Sequence, residues 1–353
     1  MANSSVCWPH YNMALIMRGM IQFFLKIEEI EKAQDKLKEE NSKNYRKRGA
    51  QKKYSDEYII IILEVMEWIR FRFRQTEGFI RSIMKLLEKC IPIPSYSTLC
   101  EKRQEFANLG LNFTPCKEGE VRDTSLDGSG FWFHMQNRYC AMKYKKKDER
   151  EEKPSDKEKD EAKALRRKRL GRLTAVTDNC SKEILAITFT CYDIGETAVF
   201  KELCDQIPGQ IRNIHGDGGF DAFECRKVVH DLGGICVIPP RSNAIIHEET
   251  EEFRRVYKER NEAVRFMEER KKEGMNPGQA RDAWKKSCNY HDRSCAENTF
   301  FRMKLTFGEA VMAKIPNSRQ ATMKLRGRLI NKFTQIGMPM PRTEEPYFKY
   351  FLK

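Results

Sequence analysis

The chain lacks any apolar run long enough to span a membrane. Its longest, Tyr58–Leu63, is interrupted by Glu64, whereas a crossing helix needs about 20 apolar residues. It has no Cys-x-x-Cys pair among its twelve cysteines, and its six histidines are not grouped with them. That argues against a zinc site and against a disulfide framework. Reduced thiols in a cytoplasmic protein, mostly small core residues, are the expectation. The opening MANSSVCWPHYN holds no basic stretch followed by an apolar one, so no secretory leader is expected.

What is present is positive charge on a chain that can fold. In 353 residues, Lys and Arg total 65 against 51 Asp and Glu, a formal net charge of +14. Hydrophobic residues at 40% supply a core and exclude wholesale disorder. The length suits one large or two medium domains, and an excess of this sign and size points to a polyanionic partner, nucleic acid above all.

The first 40 residues carry helical apolar spacing that gives way to charge. Residues 41–56 hold six basic residues and one acid, Asp56. They suit either a solvated linker or an arm that follows DNA phosphates. Three helices are expected over 57–107: Glu57–Phe71, Thr76–Lys89, and a third capped by Ser95 or Ser97 after the turn CIPIP. This is a helix-turn-helix outline, although any three-helix bundle shares it.

Beyond residue 115 the period changes to that of a mixed α/β layer. Strands are expected at 121–133, at 172–178 and 183–190 as a hairpin, at 211–217 and at 234–240. Helices are expected at 196–207 and 221–234. Two charged insertions interrupt the layer. One covers about 144–170 and holds Arg166, Arg167, Lys168 and Arg169; the other covers about 247–286, with a break at Gly274–Gly278.

Asp127 and Asp217 stand at strand ends, each followed by glycine. Such a position suits a turn or cap residue, and equally a carboxylate beside a ligand. Further on, Tyr290, Arg293, Glu297 and Lys304 fall at roughly 0°, −60°, −20° and −40° around a helix, one narrow stripe if a single helix spans them. That face suits phosphate and a cation, or an ordinary Arg–Glu pair beside a solvated Lys. Two Asp and one Glu can hold two divalent ions about 3.5–4 Å apart, and an all-oxygen donor set favours Mg²⁺ or Mn²⁺.

These residues resemble the DDE transposases of bacterial insertion sequences, in particular the insertion-sequence-five group. The likeness rests on ALIMRG, RQTEGFIRSI, PSYSTL, LDGSG, HGDGGFD, IPPRSNA, the run Asn289–Gly308 and INKFTQIGMP, spread over residues 14–339. The most specific part is Tyr-x2-Arg-x3-Glu-x6-Lys, matched by Tyr290, Arg293, Glu297 and Lys304.

The resemblance implies a ribonuclease H-like catalytic core over 116–312, behind a helical DNA-binding region over 1–115 and ahead of a C-terminal helix and tail over 313–353. It implies that Asp127, Asp217 and Glu297 are the catalytic, metal-holding residues, with two Mg²⁺ or Mn²⁺ ions, and that Tyr290, Arg293 and Lys304 contact the DNA end. It further implies terminal inverted repeats and target DNA as partners, a homodimer in the DNA complex, no membrane, and a place at the bacterial nucleoid. Two departures stand out. The stretch after Asp127 runs into the long charged insertion, and Gly128 stands where many relatives place Ser or Thr, an exchange expected to leave metal binding undisturbed. A DNA-binding descendant that no longer cuts, and a nuclease without strand transfer, share the same pattern.

Overall fold

The computed structural model describes residues 7–43, 50–111, 119–133 and 170–338. Residues 44–49 of the basic run at 41–56 and all but the last residue of the insertion at 144–170 lie outside the described residues. The chain divides into two compact units, Met1–Gly110 with Asn317–Lys353, and Leu111–Pro316.

The first unit is helical: α1 (Trp8–Met17), α2 (Ile27–Lys43), α3 (Asp56–Ile69), α4 (Phe73–Leu86), α5 (Tyr96–Arg103) and most of α12 (Pro316–Ile336). Instead of one continuous N-terminal helix, α1 and α2 are separated by a 3-10 turn at Ile21–Phe23. α3 is buried nearly all round, from Tyr58 to Met66, which explains its unbroken isoleucine run. Glu64 in that run is fully buried, and its carboxylate accepts from Arg328 Nε at 2.8 Å and from Lys332, both on α12. Glu67 pairs with Arg326 at 2.9 Å. Burial of such carboxylates is tolerable only with partners of this kind. Phe24 stacks on Trp68 and meets Phe333 edge-on.

Ser95 caps α5, its side chain accepting from the Thr98 N–H at 3.2 Å, as its position before an apolar run suggests. Glu77 on α4 accepts from the Tyr96 N–H at 2.7 Å and from Arg81, tying the two helices together. The Arg81 hydrogen bond, then the Tyr96 N–H, hold the Glu77 carboxyl below its usual range.

The second unit is built on a six-stranded mixed sheet of order β3-β2-β1-β4-β5, with β6 paired to β1. Its strands are β1 (Val121–Phe133), β2 (Leu170–Asp178), β3 (Ile184–Cys191), β4 (Gln210–His215), β5 (Ile235–Val237) and β6 (Ala310–Val311). β1–β2 and β2–β3 are antiparallel; β1–β4, β4–β5 and β1–β6 are parallel. This mixed α/β sheet is consistent with the ribonuclease H-like core that the resemblance implies. One face is covered by α6 (Phe200–Asp205) and α7 (Phe223–Asp231), where Val199, Phe200, Leu203, Phe220 and Val229 pack against Leu126, Val176, Ala186 and Ile214. α11 (Ser294–Phe307) lies against β1 and β2 and is pinned to β2 by the Thr177–Thr299 hydroxyl pair at 3.1 Å.

Between β5 and α11 come α8 (Glu251–Val256), α9 (Lys258–Lys272) and α10 (Pro277–Ser287). The expected break falls at Gly274, whose φ of +96° is one that side-chain-bearing residues rarely adopt. An Asn276–Gln279 capping box then restarts the chain as α10. Trp284, Ala263 and Val237 give these charged helices a small core, against which Tyr290 packs. Cysteines depart from the expectation of core residues. Cys204, Cys225 and Cys236 are buried, and burial pushes each thiol up to about 12. Cys90, Cys100, Cys180 and Cys191 are exposed.

Candidate active site

The parallel β1–β4 register is what brings the two aspartates together. Its last pair is Ser125↔His215. Carried two residues further along each chain, that register would set Asp217 beside Asp127. β1 continues as strand, so Asp127 sits mid-strand, paired with Ala175 across β2. β4 stops at His215, and Asp217 leaves the sheet to open a 3-10 turn at Gly218–Phe220. Its carboxylate accepts from the Gly219 N–H at 2.8 Å.

The loop after Asp217 is clamped from below. Buried Asp221 pairs with buried Arg226 at 3.0 Å and with Arg260 of α9 at 3.3 Å. Asp221 also accepts from the Arg241 N–H at 3.1 Å. The inserted helices thus help hold the turn that carries Asp217.

Tyr290, Arg293, Glu297 and Lys304 do not lie on one helix. Asn289 takes a left-handed conformation, Tyr290–Arg293 form a 3-10 turn, and α11 begins only at Ser294. The single-stripe geometry therefore applies to Glu297 and Lys304 alone. The turn is anchored to β1 by Ser125 Oγ, which donates to the Asp292 carbonyl at 2.8 Å. In consequence Arg293 points back at the sheet. Its Nη1 lies 3.2 Å from Asp127 Oδ2, and its Nη2 pairs with Glu297 Oε1.

Electrostatics ties these side chains into one site. Burial raises the Asp127 carboxyl above its usual range, and the negative charges of Asp217 and Glu297 push the same way, against the Gly128 N–H and Arg293. Burial, then the same three carboxylates, raise the Tyr290 hydroxyl to about 12. Burial opposes the Arg293 charge, but Tyr290, Asp127, Glu297 and Asp217 outweigh it and raise its pKa. Lys304 stands apart: its Nζ lies 5.3 Å from the Phe131 ring centroid and 3.7 Å from Glu309.

One further acid was not singled out by sequence reasoning. Glu196, at the start of the element leading into α6, reaches over Gly128. A Cβ built at Gly128 would overlap Glu196 Oε1 and lie 2.9 Å from its Cδ. Gly128 is thus a place where the absent side chain admits a neighbour. Glu196 also meets Arg172 at 3.4 Å. Burial raises its carboxyl, Arg172 opposes this, and Asp217 and Asp127 add to the rise. No motif spacing marks Glu196; only the fold reveals it.

Among the described residues no three acidic, His or Cys side chains stand close enough to chelate a metal ion as a closed cluster. The donor chemistry nonetheless suits a hard divalent cation: carboxylates on three separate elements, with a guanidinium standing between two of them as a cation would. Among the described residues no helix is long and apolar enough to cross a membrane.

Two family models cover the chain almost end to end. Both are described as a transposase DDE domain, one matching residues 16–133 and the other residues 134–331. They divide the site between them, Asp127 in the first and Asp217 and Glu297 in the second, and the second alone spans more than half of the chain. With both models matched and a mixed α/β sheet between its helices, the chain belongs to the DDE transposase family.

Proposed function

We propose that this transposase belongs to the insertion-sequence-five group, cuts the ends of its element and joins the freed 3′-hydroxyls to target DNA. The observation that carries this reading is Arg293, whose guanidinium pairs with both Asp127 and Glu297, with the charge of Asp217 acting on the same group. Asp127, Asp217 and Glu297 would hold the divalent ions, Mg²⁺ or Mn²⁺, two in number. When bound, such ions activate a water or 3′-hydroxyl and stabilise the leaving oxygen of the phosphodiester.

The protein's own groups do the rest. Arg293 offers a planar fork to a phosphate in exchange for its carboxylate partners. Tyr290, held by Trp284 and half-buried, presents its hydroxyl as a neutral donor far below its pKa. Lys304 supplies a point charge further along the DNA backbone. The rigid β1 keeps Asp127 fixed while these groups meet the end.

The helical unit reads the terminal inverted repeats. A groove of about 410 Å³ between α4 and α5 is lined by Arg72, Arg74, Tyr96 and Ser97, with the Arg74 guanidinium 4.7 Å from the Tyr96 ring centroid. Cationic and aromatic side chains in one groove suit a DNA backbone. Two ends must be held at once, so the DNA complex is a homodimer, acting at the bacterial nucleoid.

A strand-joining assay tests the reading. Pre-cut element ends, target plasmid and Mg²⁺ should yield joined products. Cleavage without joining would make the protein a nuclease; end binding without either would make it a DNA-binding descendant.

A further inference from the structure

We propose that Glu196 is a fourth carboxylate of the Asp127–Asp217–Glu297 site, a positioning residue that strengthens the hold on the divalent ion. The inference rests on the transposase reading above and deepens it.

Three observations carry it. First, Glu196 approaches β1 at the residue next to Asp127, where any side chain at position 128 would overlap its carboxylate. The short helical turn that Glu196 opens, Glu196–Val199, lies against the Gly218–Phe220 turn that Asp217 caps. Second, burial raises its carboxyl, Arg172 opposes this, and the charges of Asp217 and Asp127 add to the rise, in keeping with that placement. Third, Arg172 Nε at 3.4 Å holds the side chain in place. Its side chain is 25% exposed, far from the freedom of a solvated glutamate.

The chemistry follows from the charges. Arg293 touches Asp127 and Glu297, and Arg172 touches Glu196, so the four carboxylates are set against two guanidinium charges. The surplus of negative charge is what a divalent cation relieves. Groups that orient metal-binding carboxylates or their waters commonly change metal affinity 10–100-fold. Gly128 is then part of the device, since it makes the room that Glu196 fills.

The test measures Mn²⁺ binding to the full-length, DNA-free protein by electron paramagnetic resonance of the free ion, beside Mg²⁺ titrations of end cleavage. Glu196→Gln should weaken Mn²⁺ binding about tenfold and raise half-saturating Mg²⁺ by a similar factor. Glu196→Asp should recover part of the affinity. Gly128→Ala keeps Glu196 in the sequence but displaces its carboxylate, so it should reproduce the shift. The double variant should be no worse than either single one.

A structural role alone predicts a lowered melting temperature with metal affinity unchanged, and that result overturns the inference. Asp127→Asn separates this from failure of the wider reading. If it abolishes Mn²⁺ binding while Glu196→Gln and Gly128→Ala bind as the native protein does, the fourth-carboxylate role is wrong and the three-acid site stands. If Asp127→Asn binds as the native protein does, the metal site itself is elsewhere and both fall.

Discussion

Arg293 Nη1 lies 3.2 Å from Asp127 Oδ2 while the same guanidinium pairs with Glu297. One side chain thereby neutralises carboxylates from the central strand and from α11. Both ends of this contact matter to the chemistry. A DNA phosphate competes for the guanidinium, and a divalent ion competes for the carboxylates. End binding and metal binding are therefore expected to favour one another.

Replacing Arg293 separates the two effects. Arg293→Gln leaves Asp127 and Glu297 without their counter-charge, so DNA-free Mn²⁺ binding should tighten, by about two- to fivefold given the modest worth of partly exposed pairs. End binding should weaken at the same time. Mn²⁺ titration and end-binding assays on the same preparation check both. Looser metal binding would mean that Arg293 organises the acids rather than competing for them.

Lys304 makes a narrower prediction. Its only described partners are a ring face and Glu309 at 3.7 Å, so a phosphate can claim it cheaply. Lys304→Ala should weaken end binding and reduce the slope of log affinity against log salt by about one unit. An unchanged slope would leave it a surface lysine.

In the helical unit the sensitive group is Glu64, buried between Arg328 and Lys332. Glu64→Gln keeps the shape but leaves two cations without their anion. It should destabilise that unit by about 3 kcal/mol, measured by denaturant melting. The exposed Glu28→Gln should change stability by under about 0.5 kcal/mol.

Much of this was legible in the sequence, for identifiable reasons. The alternating stretch Val121–Phe133, the isoleucine-rich α3 and the Ser95 cap each carry a local signal, and each forms as its residues suggest. The turn at Tyr290–Arg293 was not legible. Helical spacing runs straight through it, and what breaks the helix is Asn289 in a left-handed conformation together with the Ser125 contact from β1. Tertiary anchoring overrides local periodicity there. Glu196 was hidden for a related cause: its meaning depends on the empty space over Gly128, which only the folded sheet creates. The strand at 234–240 shortens to Ile235–Val237, because its continuation bends away to meet Asp221 and Arg281.

The central claim is that Asp217 belongs to a working metal-dependent cleavage site. Its most direct test is cleavage of a plasmid carrying the element's own ends, with Mg²⁺ present or withheld, comparing the native protein with Asp217→Asn. The account predicts Mg²⁺-dependent cutting at the ends by the native protein and none by the variant, with end binding intact in both. Equal cutting by the two proteins, or binding with no cutting by either, would contradict it.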